Sequence, residues 1–336
     1  MLKPSDSTKS VIALDIGGTK ISAALSDFKG NILLKKKIDT QAKSGAATVL
    51  NNLLQIIADV LDDSQINPSC VAGIGISTFG QVDRTQGIIK YATETVPGWT
   101  GIRLKEIAEQ RFQIKTFVDN DAFCAAWGER VYGIAKTSRD LVVLTLGTGI
   151  GGALFTQGKL LEGVNGLAGL IGHTCIEPSG HDCNCGAIGC IESYASGWGL
   201  VKVFKDLMTK EYGVYPPQYP KDPDARYVFS MQKELEAART AVNQMIWRLG
   251  ATIGSLVTLL NPELVVVGGG LSNIWEAIYP KLLESVKRHS TPPAFEACSL
   301  KQSAFPDDMG LMGAIALVST GPIPRLSDFS GGDYDR

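Results

Sequence analysis

Four residues, His173, Cys183, Cys185 and Cys190, are spaced H-x9-C-x-C-x4-C. Three thiolates and one imidazole make a complete tetrahedral set for Zn²⁺, with no position left open for water or substrate, so such a site would be structural rather than catalytic. Glycines within Cys185-Gly-Ala-Ile-Gly-Cys190 turn the loop back on itself, and a set of reduced free thiols is the plainer alternative. His181, two residues before Cys183, reads as exposed rather than as a ligand. A second constellation opens the chain. Asp15 ends an apolar run and is followed by Gly17, Gly18, Thr19 and Lys20, which offers a carboxylate to Mg²⁺ and amides, a hydroxyl and an ammonium to phosphate. A further turn, Gly147-Thr148-Gly149-Ile-Gly-Gly152, has Thr145 just before it. It spells the dinucleotide fingerprint, but Ala153–Leu161 after it reads as a strand and no acid lies about 20 positions on, so a Rossmann site is a poor reading. What remains is a hairpin turn whose amides and threonine hydroxyls suit phosphate oxygens, or an ordinary glycine-rich turn.

Phe117-Val-Asp-Asn-Asp-Ala122 gathers three polar residues where an apolar run passes into a helical pattern. Strand ends of this kind face ligand crevices in open α/β sheets, although Asp119 or Asn120 would serve equally as a helix N-cap. A carboxylate in such a crevice could take a proton from a bound hydroxyl, and this segment holds candidates. Glu192 follows Cys190 by two and could be simply the acid of a helix N-terminus. Gly268, Gly269 and Gly270, after an apolar run, leave a surface without side chains against which a base could lie; tight helix-to-strand packing is the competing explanation, as it is for Gly310 and Gly313.

The elements that must position these groups are legible in the periodicity. Residues 11–40 alternate apolar runs with glycine turns, as antiparallel strands do. Apolar positions 46, 49, 50, 53, 54, 57 and 60 or 61 predict an amphipathic helix to about Asp63. Val71–Ser77 predicts a buried strand, Ile102–Arg111 a helix, Lys115–Val118 a strand and Asp121–Tyr132 a helix. The order then recurs: paired strands across 141–163, a long helix over about 234–260, and a strand from Leu264. The chain therefore reads as two duplicated α/β domains around a central cleft, with the two glycine-rich turns facing each other. Tyr212–Pro223, with four Pro and three Tyr, reads as an irregular excursion.

At 336 residues, the chain has room for about two domains. Apolar residues at 44% and charged residues at 20% describe a folded protein. Lys plus Arg number 32 against 34 Asp plus Glu, and no basic run stands out, so nucleic acid and anionic membrane are not expected partners. No stretch approaches the roughly 20 apolar residues of a membrane span. The start, polar and then broken at Asp15, does not read as a signal peptide, and the seven Cys suit thiolates or metal ligands better than disulfides, so a cytoplasmic location is expected.

DIGGTK at Asp15–Lys20, LGTGIGG at Leu146–Gly152 and the segment GLAGLIGHTCIEPSGHDCNCGAIGCIESYASG, in that order, resemble the sugar kinases of the ROK family, over Asp15 to about Ala316. The resemblance implies an α/β, actin/hexokinase-like ATPase fold. It divides the chain into a small N-terminal domain (1–119, completed by a helix at about 310–320), a large domain (120–309, with its zinc loop at 173–190) and a flexible tail (321–336). It implies ATP with Mg²⁺ as phosphoryl donor, a structural Zn²⁺ on His173, Cys183, Cys185 and Cys190, and a homodimer. In the family pattern Asn120 and Asp121 bind the sugar and Asp121 is the base, leaving Asp119 a neighbour. His173, Glu192, Ser77 and Thr78 fall with the sugar site. Asp15, Gly17, Gly18, Thr19, Lys20, Thr145, Gly147, Thr148, Gly149, Gly268, Gly269 and Gly270 fall with the nucleotide, and Gly310 and Gly313 with adenosine.

One departure bears on the substrate. The family's A-G-E-x-G-H reads Ala168-Gly-Leu-Ile-Gly-His173 here, with Leu170 in place of the carboxylate. Leu170 cannot accept a hydroxyl bond, which leaves a buried sugar hydroxyl unpaired at about 1–3 kcal/mol, and it would suit the partly apolar N-acetyl group on C2 of an N-acetylhexosamine. Ser77-Thr78 and Thr95, where glucokinases of the family often carry other residues, lean the same way. N-acetylmannosamine is therefore the expected acceptor and glucose the alternative. A sugar-sensing repressor of the same family would need a DNA-binding domain ahead of the first phosphate turn, and only 14 residues precede Asp15.

Overall fold

The computed structural model describes residues 9–93 and 95–329. The chain divides into two compact units, one made of Met1–Ser138, Phe155–Ala168 and Ser303–Arg336, the other of Arg139–Leu154 and Gly169–Gln302.

In the first unit, β1 (Ser10–Ile16), β2 (Lys20–Asp27) and β3 (Ile32–Asp39) form an antiparallel meander. Helix α1 (Ala46–Ser64) follows, then β4 (Val71–Thr78), a small hairpin of β5 (Gln81–Asp83) and β6 (Ile88–Tyr91), α2 (Leu104–Phe112), β7 (Thr116–Asn120) and α3 (Asp121–Val131). The sheet order is β3-β2-β1-β4-β7, with β4 parallel to both β1 and β7. Period-two alternation gives β1 two apolar faces. Ile12, Leu14 and Ile16 pack with Val49, Leu53, Ile56, Ile57 and Val60 of α1, whereas Val11 and Ala13 pack with Leu311, Met312, Ala314 and Ile315 of the last helix. The stripe read from Ala46 onward is the buried face of α1.

The second unit begins with β8 (Leu141–Leu146) and β9 (Ile150–Thr156), whose last two residues belong to the first unit and pair there with β10 (Lys159–Leu160). Helices α4 (Glu192–Ala195), α5 (Gly197–Tyr212), α6 (Ala225–Ser230) and α7 (Glu236–Leu260) lead to β11 (Leu264–Gly268), α8 (Trp275–Arg288), α9 (Pro292–Ala297) and β12 (Ser299–Gln302). The chain then returns to the first unit as α10 (Met309–Ser319). Strand order β10-β9-β8-β11-β12 repeats that of the first sheet, and β11 is parallel to β8 and β12. The duplicated α/β pattern is therefore present in both sheets. Residues 213–224 hold no helix or strand, in line with their prolines.

Two expectations about boundaries are corrected. Helix α3, assigned from sequence to the larger domain beginning at 120, belongs to the first unit. Its Gly128 lies against Gly313 N and Met312 of α10, and a Cβ on Gly313 would collide with Cys124 O, so the two helices meet backbone to backbone. The flexible tail expected over 321–336 is also wrong for 321–329. Ile323 and Arg325 there are buried, and Arg325 is held by Asp119 and Glu162. Residues 330–336 lie outside the described residues. No helix among the described residues is long and apolar enough to cross a membrane.

Candidate active site and metal centre

The parallel strands of the first unit bring their C-terminal ends together, and register fixes which side chains meet. Asp15 on β1 stands opposite Ser77 on β4, and Ser77 opposite Asp119 on β7. The Ser77 hydroxyl donates to Asp15 Oδ1 at 2.8 Å. Burial pushes the Asp15 carboxyl above its usual range and the Ser77 bond pulls it back; Asp308 adds to the rise and Lys37 opposes it. Gly310, at the start of α10, is where the last helix approaches that carboxylate, since a Cβ there would collide with it. Thr19 and Lys20 are exposed in the same turn, which Gly17 closes by donating to Lys20 O at 3.0 Å.

Ser77 and Thr78 are fully buried, and the Thr78 hydroxyl turns to Phe79 O at 3.3 Å. Ser77 braces the Asp15 carboxylate, and each hydroxyl's proton is engaged, so either one could meet a ligand only as an acceptor.

At the end of β7 the three polar residues take three different tasks. Asp119 accepts two bonds of 2.7 Å from Arg325 Nη2 and one of 2.9 Å from the Asn120 amide, which removes it as a base. Asn120 is the N-cap of α3: Oδ1 accepts from Ala122 N at 3.0 Å and Phe123 N at 3.2 Å, and Nδ2 donates to Gly80 O at 3.0 Å. Capping leaves one Nδ2 proton for a ligand. Asp121, the first residue of α3, is half-buried, and its Oδ1 accepts from Ala122 N at 2.8 Å. Burial, followed by the Asp15 charge, raises its pKa to about 7, while the Ala122 amide and the Asn120 side chain work in the opposite direction. A carboxylate poised near neutrality is what general-base chemistry asks for.

In the second unit the ligand atoms of His173, Cys183, Cys185 and Cys190 all lie within 4.8 Å of one another. His173 Nδ1 is 3.6 Å from Cys183 Sγ, and the Cys185 and Cys190 sulfurs are 3.7 Å apart. A tetrahedron with Zn–S bonds of about 2.3 Å has edges of about 3.8 Å, so these separations fit one zinc ion held by all four. With Nδ1 turned to the thiols, Nε2 is the nitrogen His173 has for a hydroxyl. His181 is outside the set, as expected, but it is half-buried rather than exposed. Its ring stacks on Tyr194 at 4.7 Å and Nε2 meets Asp206 at 3.1 Å.

Glu192, first residue of α4, accepts from Ile150 N at 2.8 Å, and Gly149 leaves the space its carboxylate occupies. The acid just past the cysteine loop is thus tied to the Gly147–Gly152 turn, a link of 42 positions that no local pattern announces. In the same turn Gly147 N donates to Gly149 O at 3.0 Å, and Thr148 is exposed while Thr145 is half-buried. Gly268, Gly269 and Gly270 separate by role. A Cβ on Gly269, at φ +89°, would lie 2.5 Å from Leu146 O, so packing requires that glycine; Gly270 has nothing within 4 Å and is the open face. Leu170, 51% exposed, is free to meet a ligand.

Comparison with known proteins finds relatives over most of the chain. The model of the ROK family matches residues 11–320. The glucokinase of Thermotoga maritima is 30% identical over 312 residues, covering 92% of this chain and 96% of that protein. The xylose repressor of Caldicellulosiruptor bescii is 27% identical, over 95% of this chain and 80% of the repressor. Among solved structures, a ROK family glucokinase from Streptomyces griseus in complex with glucose and AMPPNP superposes with a TM-score of 0.80 at 28% identity, covering 93% of this chain and 100% of that one.

Proposed function

We infer that the chain, which belongs to the ROK family, is an ATP-dependent sugar kinase that transfers the γ-phosphoryl group to the 6-hydroxyl of a hexose or N-acetylhexosamine. The observation that carries this reading is the corner at Asn120 and Asp121, where a carboxylate raised to about 7 sits at the N-terminus of a helix capped by its neighbour. Asp121 takes the proton from the sugar 6-oxygen as the new O–P bond forms and the bond to the β-phosphate oxygen breaks, releasing ADP. Little else is covalent, so the remaining residues position substrates and neutralise charge.

Asp15, held by Ser77, is the carboxylate for the Mg²⁺ that accompanies ATP. Gly17, Gly18, Thr19 and Lys20 offer amides, a hydroxyl and an ammonium to phosphate, Thr145, Gly147, Thr148 and Gly149 are a second phosphate-binding turn, and the open face at Gly270 takes the adenosine. Asn120 through its remaining Nδ2 proton, His173 through Nε2, and Glu192 meet sugar hydroxyls. Zinc on His173 and the three cysteines would fix the loop that carries His173 and Glu192; its closed shell gives it no part in the transfer. We further read the protein as a cytoplasmic homodimer, which light scattering tests.

N-acetylmannosamine is the acceptor we favour, because Leu170 offers an apolar contact where a carboxylate would pair a hydroxyl. Glucose is the second reading, supported by the similarity to glucokinases. Purified protein given ATP, Mg²⁺ and glucose, mannose, fructose, allose, N-acetylglucosamine or N-acetylmannosamine separates the two by ADP release. Preference for N-acetylmannosamine supports the Leu170 argument; preference for glucose keeps the kinase and discards it; no sugar-dependent release with any of them rejects the kinase.

A further inference from the structure

Three acids gather at one end of the first unit's sheet, and the proposed chemistry uses two of them. Their proximity registers at Cys124 on α3, whose thiol is pushed well above its usual range by burial and then by Asp119, Asp15 and Asp121 together. Asp119, 2% exposed, is the acid without a chemical task. Its two oxygens are both taken by Nη2 of Arg325, itself 4% exposed, and Nη1 of the same guanidinium donates to Glu162. The guanidinium carbon also lies 5.5 Å from the centre of the Phe123 ring on α3.

Arg325 is anchored in turn. Its main-chain N donates to Asp328 Oδ2 at 2.9 Å, Asp328 pairs with Arg84, and Arg84 Nη1 donates to Ile323 O at 2.9 Å. Pro324 O accepts from Leu160 N at 2.9 Å. This segment lies beyond residues 11–320, the part matched by the family model.

We propose that Arg325 is a positioning residue for phosphoryl transfer: by clamping Asp119, which also holds the Asn120 amide, it fixes the strand-to-helix corner from which Asn120 and Asp121 project. The proposal rests on the kinase reading above. Without the guanidinium, Asp119 is a buried anion with only the Asn120 amide to balance it and the half-buried Glu162 keeps the Ser327 hydroxyl, and a buried charge left without its counter-ion relaxes toward water. Asp119 cannot turn outward without letting go of the Asn120 amide, and a displacement of about 1 Å at a reacting group costs on the order of 10²-fold in rate. A charge effect adds to it. Asp121 is acted on by Asp15 from β1 and by the side chain of Asn120; Cys124 on its own helix feels Asp119, Asp15 and Asp121 together, and Asp308 and Lys37 act on Asp15. An uncompensated Asp119 raises the pH at which Asp121 gives up its proton.

The test uses the full chain with Arg325→Ala and Arg325→Lys, each checked first for zinc content and melting temperature. Arg325→Ala is expected to lower kcat roughly 10- to 100-fold with KM for ATP unchanged, to move the acid limb of kcat/KM to higher pH, and to recover in part with millimolar guanidinium ion. A merely structural role would give neither the pH displacement nor the recovery. Arg325→Lys keeps one charge but cannot bridge two acids, and a loss of roughly three- to tenfold with an unchanged pH profile is expected. Arg325→Ala that folds and keeps the wild-type kcat and pH profile overturns the proposal. If the alanine chain does not fold, a folded lysine chain with full turnover overturns it just as well. Failure of both to fold makes the pair a stability element and overturns the positioning role. A wild-type protein with no sugar-dependent ADP release is a different result, because it rejects the kinase reading itself.

Discussion

Replacing Asp121 by Asn tests the proposed base through stability and rate together. Asn has the same shape, still accepts from Ala122 N, and does not ionise. In the folded chain the Asp121 carboxyl titrates at about 7, against an ordinary value of 3.8. Between those values the native state keeps a proton that the unfolded chain has lost, so stability falls as pH rises from about 4 to about 7 and is lowest, for this group, above 7. About three units at 1.36 kcal/mol each set a ceiling of about 4 kcal/mol, and water reaching a half-buried carboxylate reduces it to about 2 kcal/mol. Asp121→Asn is therefore expected to exceed the wild type in urea unfolding by under ~1 kcal/mol at pH 5 and by about 2 kcal/mol at pH 8. The nearby Asp15 also titrates high, and losing the Asp121 charge relieves it, which works in the same direction. Initial rates should show kcat reduced by roughly 10²–10⁴ with sugar affinity nearly unchanged, and wild-type kcat/KM should rise with pH through about 7. Equal stability differences at pH 5 and pH 8 would refute the raised carboxyl, and substantial residual turnover would move the base elsewhere.

Three further outcomes follow from the site. Metal analysis should return about one zinc per chain, and Cys190→Ser should lose it with a fall of several kcal/mol in unfolding free energy; a zinc-free chain of unchanged stability and activity rejects the ligand set. Leu170→Glu should move preference from an N-acetylated sugar toward glucose by roughly 10- to 100-fold in the ratio of kcat/KM values, and an unchanged ratio would show that position 170 does not read C2. Glu192→Ala frees the Ile150 amide and should cost about 1–3 kcal/mol while raising KM for ATP as well as for the sugar, because the carboxylate braces the phosphate turn; an effect on the sugar alone would show that the brace is not needed.

How much of this was legible in the sequence depends on the distance over which each contact acts. Periodicity located α1, the buried strand β4 and the long helix α7, because burial of one face or of a whole strand is written into consecutive residues. Spacing likewise brought out the cluster of one His and three Cys, which falls within eighteen residues, His173 to Cys190. Asn120 was open between cap and ligand. Structure makes it the cap and leaves one proton over, which a pattern of residue types does not decide. The division of labour among Asp119, Asn120 and Asp121 depends on Arg325, 206 positions from Asp119, and nothing in the polar segment around Arg325 marks it. That same contact explains why 321–329 reads as a tail yet packs. Its few apolar residues supply little burial, and the segment is held instead by ions that need partners from β7, from the stretch after β10 and from Arg84. A buried guanidinium between two acids contributes little net stability when intact and costs 3–5 kcal/mol when half of it is removed, so its value lies in geometry rather than in strength. In a reaction that proceeds mostly by positioning, the residue that fixes Asp119 therefore bears on the rate as directly as one that touches the sugar.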